Sequence, residues 1–206
     1  ILMEKYFMPS FYETNKNLNL KIKKFEQKCS SGEYMSNGWY DIMINKVDYI
    51  LESIEETWGG IFIHADCDIV FFDEIEKDII KQLGENDLAA QNDGNTICCG
   101  FFACKSNEKT KKLFENVKLI MNEKFNDQQA TNKLAKNYIS YDYLDQKYYS
   151  IYRNTKRKVW EKGMNIDEKE IPKNMIVYHA NWTVGIDNKI ELIKRVKKII
   201  DDNKQK

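Results

Sequence analysis

Two aspartates, Asp66 and Asp68, stand one residue apart in the stretch GGIFIHADCDIVFF, which is otherwise apolar on both sides of the pair. Buried, unpaired charge is expensive, so something must compensate them. In an extended chain, residues two apart point to the same side, roughly 6.5–7 Å apart along the backbone. Both carboxylates then face one site, with His64 next on that side. Carboxylates this close repel each other, and one takes up a proton unless a cation intervenes. A hard divalent ion such as Mn2+ or Mg2+ compensates both, takes oxygen ligands and keeps positions open for phosphate oxygens. The plain alternative is a turn with two solvated aspartates. The apolar run Ile69-Val70-Phe71-Phe72 that follows at once speaks against an exposed acidic loop.

The surrounding elements must place that pair. Residues 2–12 carry Leu2, Tyr6 and Phe7 at helical spacing, with Pro9 expected to kink or end the helix. Leu18, Leu20 and Ile22 alternate with polar residues, which suits a half-buried strand, although a helix fits too. Residues 29–38 read as a loop. Val47, Ile50, Leu51 and Ile54 define the inner face of a helix that Gly59-Gly60 ends, and a strand follows over 61–65. A helix over 73–83, strands over 88–91 and 96–104, and a helix capped by Ser106 come next. A shorter helix follows NDQQ at 126–129, aromatic strands or loops occupy 138–152, and IVYH at 176–179 forms a last inner strand. The final helix starts near Asn188. Strands alternating with helices predict a three-layer α/β/α sandwich around a mostly parallel, mixed central sheet. In such sheets ligands bind beyond the carboxyl ends of strands, which is where Asp66 and Asp68 fall.

The totals narrow the function. Lys+Arg and Asp+Glu balance at 32 each, which argues against an extended nucleic-acid footprint. The five cysteines are odd in number and lack C-x-x-C spacing, so reduced thiols are expected and neither a disulfide framework nor cysteine-ligated zinc. No signal peptide or membrane-spanning run is visible, which predicts a cytoplasmic chain. The 206 residues suit a single domain.

Six stretches stand along the chain in this order: GWYDIMINK (38–46), the Asp-x-Asp segment, AQNDG (90–94), CCGFFACKS (98–106), NDQQATN (126–132) and HANWTVGIDNK (179–189). Together they resemble the nucleotide-diphospho-sugar transferase domain family of GT-A fold glycosyltransferases. The resemblance implies a metal-dependent transfer of a hexosyl or pentosyl unit from a nucleoside diphosphate, most commonly a UDP-sugar, to the hydroxyl of a glycan, protein or small molecule, with retained configuration. It implies that Asp66 contacts ribose and metal, that Asp68 binds the metal directly and that His179 is the third protein ligand. An imidazole in the set suits Mn2+, with Mg2+ as the alternative. Lys46, Asp93, Gly100, Gly185 and Lys189 match donor-contacting positions; Gly185 would let backbone approach a diphosphate and Lys189 would neutralise it. Asp127 and Gln128 match the catalytic pair that faces the anomeric carbon and sugar hydroxyls, although Asn126 and Asp127 also make an ordinary helix start. His64 is read either as a packing residue or as one that supports the ligands from behind, and Cys98, Cys99 and Cys104 as small core hydrophobes.

Two rivals stand beside this reading: a sugar-1-phosphate nucleotidyltransferase, and a GT-A-fold binding module without turnover. The aromatics Phe101, Phe102, Tyr138, Tyr141, Tyr143, Tyr148, Tyr149 and Tyr152 either line an acceptor groove or simply pack. In this fold the first strand usually cradles the base and ribose, whereas residues 1–12 read as the helix after it, so that strand is expected to be missing.

Overall fold

The computed structural model describes residues 1–26, 28–29, 36–151 and 158–204. They divide into two compact units. One comprises Asn19–Ala65 and Asp78–Leu144, the other Ile1–Leu18, Asp66–Lys77 and Asp145–Lys206.

The first of these is built on a four-stranded sheet of β1 (Ile61–Ala65), β4 (Ile97–Lys105), β3 (Leu88–Asn92) and β5 (Tyr141–Tyr143), in that spatial order. β4 runs antiparallel to both β1 and β3, and β5 adds parallel to β3. Side chains alternate across a strand, so Leu88 and Ala90 share a face with their partners Cys104 and Phe102. Against that face pack helices α2 (Trp39–Glu56), α4 (Glu108–Ile120) and α5 (Asp127–Tyr138). Val47, Ile50 and Ile54, spaced at helical intervals on α2, join Leu113, Phe114 and Val117 of α4 and Ala130 and Ala135 of α5 in one buried cluster. Each large apolar side chain sealed there contributes roughly 2–3 kcal/mol. Asp87 staples the edge: its carboxylate accepts from Ser140 N and Oγ, each at 3.0 Å, and from Asn107 Nδ2 at 3.0 Å. Asn107 in turn caps α4 by accepting from Lys109 N and Thr110 N.

The other unit holds a three-stranded sheet with β7 (Val177–His179) between β2 (Ile69–Phe71), antiparallel to it, and β6 (Tyr148–Ser150), parallel to it. The apolar stripe Leu192, Ile193, Val196 and Ile200 of α6 (Ile186–Lys204) shares a core with Val70, Tyr149, Tyr178 and Trp160. At the N-terminus a π-helical turn, Met3–Phe7, runs into α1 (Met8–Thr14). Pro9 therefore does not end the helix. It sits in the first turn of α1, where a missing N–H is tolerated, and Phe7 and Phe11 meet Phe71 edge-on. Ser10 Oγ accepts Phe71 N at 3.1 Å and Asn15 Oδ1 accepts Ile75 N at 3.0 Å.

The α/β class and the mixed character of the strand pairing are as expected. The expectation of one mostly parallel sheet is corrected. Two sheets form, and three of the five ladders among the described residues are antiparallel. The physical reason is local. β3 and β4 are joined by the short turn at 93–96, which returns the chain as a hairpin where a parallel crossover would need a dozen residues or more. The segment 18–23 is neither strand nor helix, yet its burial alternates as its sequence does. Alternation secures half-burial, whereas a strand also needs a partner edge. Ser106 lies one residue before the real cap of α4, α3 is confined to Glu76–Leu83, and α6 starts two residues earlier than Asn188. Much of the 29–38 loop lies outside the described residues.

Candidate functional site

β1 ends at Ala65, and the chain then turns through Cys67 and Asp68 into β2. The Asp-x-Asp pair thus sits on a turn, not in extended chain as its spacing suggested. What joins Asp68 to His179 is strand register. Ile69 stands opposite His179 across the antiparallel β2–β7 ladder, so Asp68 lies beside the chain leaving β7, and Ala180 N donates to Asp68 O at 3.0 Å. Tyr178, next to His179, faces the apolar core with Val70 and Tyr149, so the imidazole is delivered to the opposite face.

His179 Nε2 lies 3.2 Å from Asp68 Oδ1, and both residues are buried. Asp66, half-buried, completes a cluster in which one carboxylate oxygen from each aspartate and one imidazole nitrogen lie within 4.8 Å of one another. Lys189 comes from the first turn of α6 and places its ammonium on Asp68 Oδ2. Burial alone would push the Asp68 carboxyl up, but the Lys189 ammonium and His179 outweigh it and hold it well below the usual range. Lys189 is the mirror case: burial lowers its pKa, and Asp68 raises it further still. Cys67, between the two aspartates, is pushed up to about 11 by desolvation and by the carboxylates of Asp68 and Asp66, so its thiol stays protonated at neutral pH. Gly185 precedes α6 at φ +85°, a conformation costly for other residues, and its carbonyl accepts Lys189 N at 3.2 Å.

The remaining candidates lie in the unit of the four-stranded sheet and form two contacts of their own. Lys46 Nζ of α2 is 3.2 Å from Asp127 Oδ2 at the start of α5. This is a buried ion pair by distance, although Oδ2 makes no aligned hydrogen bond among the described residues. Gln128 Nε2 donates to Asp93 Oδ2 at 2.9 Å, and Gln128 Oε1 accepts Cys99 N at 3.2 Å. Asn126 caps α5 through a reciprocal pair of bonds with Gln129, so the ordinary helix start is realised together with these contacts. Gly100 is buried in β4. His64 stacks on Phe102 with centroids 5.1 Å apart, a packing contact.

None of the five cysteines, all among the described residues, forms a disulfide, and Cys29, Cys98, Cys99 and Cys104 are buried. Phe101, Phe102, Tyr148 and Tyr149 are buried as well, which favours packing for that half of the aromatic set. Tyr138, Tyr141 and Tyr143 are half-buried, and Tyr152 lies outside the described residues. A recess of about 320 Å3 lined by Gly59, Gly60, Ile61, Lys105, Ser106 and Asn107 contains none of the candidates. Sequence reasoning passed over Asn132, which makes three hydrogen bonds close to Gln128. The available signal was its place one helical turn after Gln128 in NDQQATN.

Two carboxylate oxygens and an imidazole nitrogen are donor types that suit a divalent ion, and the half-buried Lys189 ammonium lies beside them. The chain belongs to the nucleotide-diphospho-sugar transferase family, whose model matches residues 10–193. Among solved structures, the chain is similar to the glycosyltransferase GlyE of Streptococcus pneumoniae TIGR4, at 16% identity and a TM-score of 0.47 over 74% of this chain. The apo form of GlyE gives 15% identity and a TM-score of 0.43 over 76%. Both alignments cover 45% of the GlyE chain, so this chain spans less than half the length of these structures. With both scores under 0.5, the assignment rests on the family match. No curated protein matches the chain significantly. Among the described residues no helix is long and apolar enough to cross a membrane.

Proposed function

We propose that the chain is a glycosyltransferase that moves a hexosyl or pentosyl unit from a nucleoside-diphosphate donor of the UDP-sugar class to an acceptor hydroxyl, with retained configuration. The reading covers 1–206 as one catalytic domain. The observation that carries it is the convergence of Asp66, Asp68 and His179, whose donor atoms lie within 4.8 Å of one another. Two carboxylate oxygens and an imidazole nitrogen fit Mn2+, with Mg2+ as the second choice. When bound, such an ion supplies charge neutralisation for a departing diphosphate.

The roles of the chain's own residues follow from their chemistry. Lys189 brings a second positive charge for the diphosphate. Gly185 leaves backbone accessible, since a Cβ there would find its nearest neighbour, Asn188 Nδ2, only at 4.0 Å. Asp127 and Gln128 act on the donor sugar, orienting it and stabilising positive character at the anomeric carbon. Lys46 holds Asp127, Asp93 supports Gln128, and Gly100 keeps the strand beside them free of a side chain. No residue is assigned as a strong base for the acceptor; its proton passes to the leaving phosphate oxygen.

The test is release of nucleoside diphosphate from a panel of UDP-sugars, with and without Mn2+, by the wild type and by Asp68→Ala. Mn2+-dependent release that falls at least about 100-fold in the variant is expected, a loss typical of removing one strong electrostatic contact at the reacting charge. Turnover unchanged by the substitution would overturn the assignment. Release of pyrophosphate from a nucleoside triphosphate and a sugar phosphate would point instead to a nucleotidyltransferase.

A further inference from the structure

The ladder between β3 and β4 breaks at one place. Ala90 faces Phe102, but Asn92 already faces Ile97, so β4 carries surplus residues between the two pairs. A bulge of this kind leaves backbone groups without ladder partners, and buried ones must be satisfied from elsewhere. α5 bonds two residues of this stretch with side-chain amides: Ile97, the outer partner of Asn92, and Cys99, within the surplus. Asn132 Oδ1 accepts Ile97 N at 2.8 Å, while Asn132 Nδ2 donates to Ile97 O at 2.9 Å, gripping one residue at both ends as a neighbouring strand would. The same Nδ2 donates to Gln128 O at 2.8 Å. Gln128 treats the next outward group in the same way, accepting Cys99 N at 3.2 Å and donating to Asp93 Oδ2 at 2.9 Å.

These bonds form one frame. Ile97 follows directly on the hairpin turn that carries Asp93, and the turn is closed by Asp93 N to Thr96 O at 3.0 Å and Thr96 Oγ1 to Asp93 O at 2.6 Å. Fixing Ile97 therefore fixes the base of the hairpin, and fixing Gln128 O fixes the first turn of α5, which also bears Asp127. We propose that Asn132 is a positioning residue for glycosyl transfer, setting the place of Gln128 and Asp93 without touching the sugar. The inference rests on the function proposed above.

The experiment measures kcat and KM for release of UDP from UDP-glucose and UDP-galactose in Mn2+, for the wild type, Asn132→Ala, Gln128→Ala and the double variant, each shown to be folded by its melting transition. A displacement of about 1 Å at a reacting group costs up to about 100-fold. Asn132→Ala should therefore lower kcat about 10- to 100-fold with KM nearly unchanged. In the Gln128→Ala background it should change kcat by less than about twofold, because residues acting through one another are not additive. A purely structural asparagine would give full additivity in the double variant, and that result overturns the proposal. So does wild-type kcat in Asn132→Ala when Gln128→Ala is impaired, an outcome that leaves the glycosyltransferase reading intact. Gln128→Ala with wild-type activity would overturn both the catalytic assignment of Gln128 and this inference.

Amide exchange supplies a readout independent of turnover. Asn132→Ala should speed exchange at Ile97 and also at Cys99, whose N–H is held by Gln128. Acceleration at Ile97 alone would refute the link. Should Asn132→Ala fail to fold, Asn132→Asp, which keeps the acceptor for Ile97 N but loses both donors, serves in the same comparisons.

Discussion

Replacing Asp68 by asparagine keeps its volume and removes its charge. In the structure one oxygen faces His179 Nε2 at 3.2 Å and the other carries the Lys189 ammonium. Two unit charges about 3 Å apart interact by about 5–6 kcal/mol at an effective dielectric of about 20. Two effects reduce that figure: the amide is cheaper to bury than the carboxylate, and the Lys189 side chain, 25% exposed, is partly screened by water. The expected loss on Asp68→Asn is about 2–4 kcal/mol. It should be measured by urea unfolding at neutral pH in EDTA, with an unchanged slope against denaturant. Adding Lys189→Met should restore at least about half of it, since removing both ends of a buried pair is often close to neutral whereas stranding one end is not. An Asp68→Asn protein within about 0.5 kcal/mol of the wild type, or a double variant no more stable than the single one, would refute the strength worked out here for the ion pair.

Two further outcomes concern the unit of the four-stranded sheet. Burial raises the pKa of Asp87, but hydrogen bonds from Ser140 and Asn107 and the charge of Lys109 outweigh it, leaving the value below that of an ordinary aspartate. A depressed folded-state pKa means stability that is present above the unfolded value of about 3.9 and is lost as pH falls through the folded value. Asp87→Ala should therefore cost about 2–3 kcal/mol at pH 7 and flatten the acid limb of a melting-temperature titration; an unaltered limb would count against the staple. Gly38 and Gly59 both have positive φ, +81° and +79°, but a Cβ at Gly38 would lie 2.2 Å from Lys28 O whereas one at Gly59 meets nothing within 4 Å. Gly59→Ala should cost about 1 kcal/mol, the left-handed penalty alone, and Gly38→Ala at least about 3 kcal/mol because backbone must also move. Equal losses in chemical denaturation would show that the close approach to Lys28 is relieved cheaply.

Much of the local structure was legible because its signals are short in range. The stripe Val47, Ile50, Leu51 and Ile54 marks α2 through a 3.6-residue period, and Asn126 announces α5 through its side-chain oxygen. Where a signal constrains only one side of a decision, reading failed. Leu18, Leu20 and Ile22 alternate in burial without pairing in a ladder, since alternation does not supply a neighbouring edge. The run of strands and helices suggested parallel crossovers, and only the hairpin at 93–96 reverses the direction of β4. Asn132 offered only its place one helical turn after Gln128, because its bonds to Ile97 exist only once α5 packs beside β4.

The amino-acid order by itself determined the chemistry available: two closely spaced carboxylates at the end of a strand, a late histidine, a lysine in the opening turn of the last helix, and a family pattern joining them. It could not decide which of these meet. That was settled by the antiparallel register that sets Ile69 against His179, and by α6 bringing Lys189 onto Asp68. The physical reason is that proximity between residues far apart along the chain is a property of strand pairing and side-chain packing, in which every neighbour takes part, whereas residue type and spacing act only over a few positions.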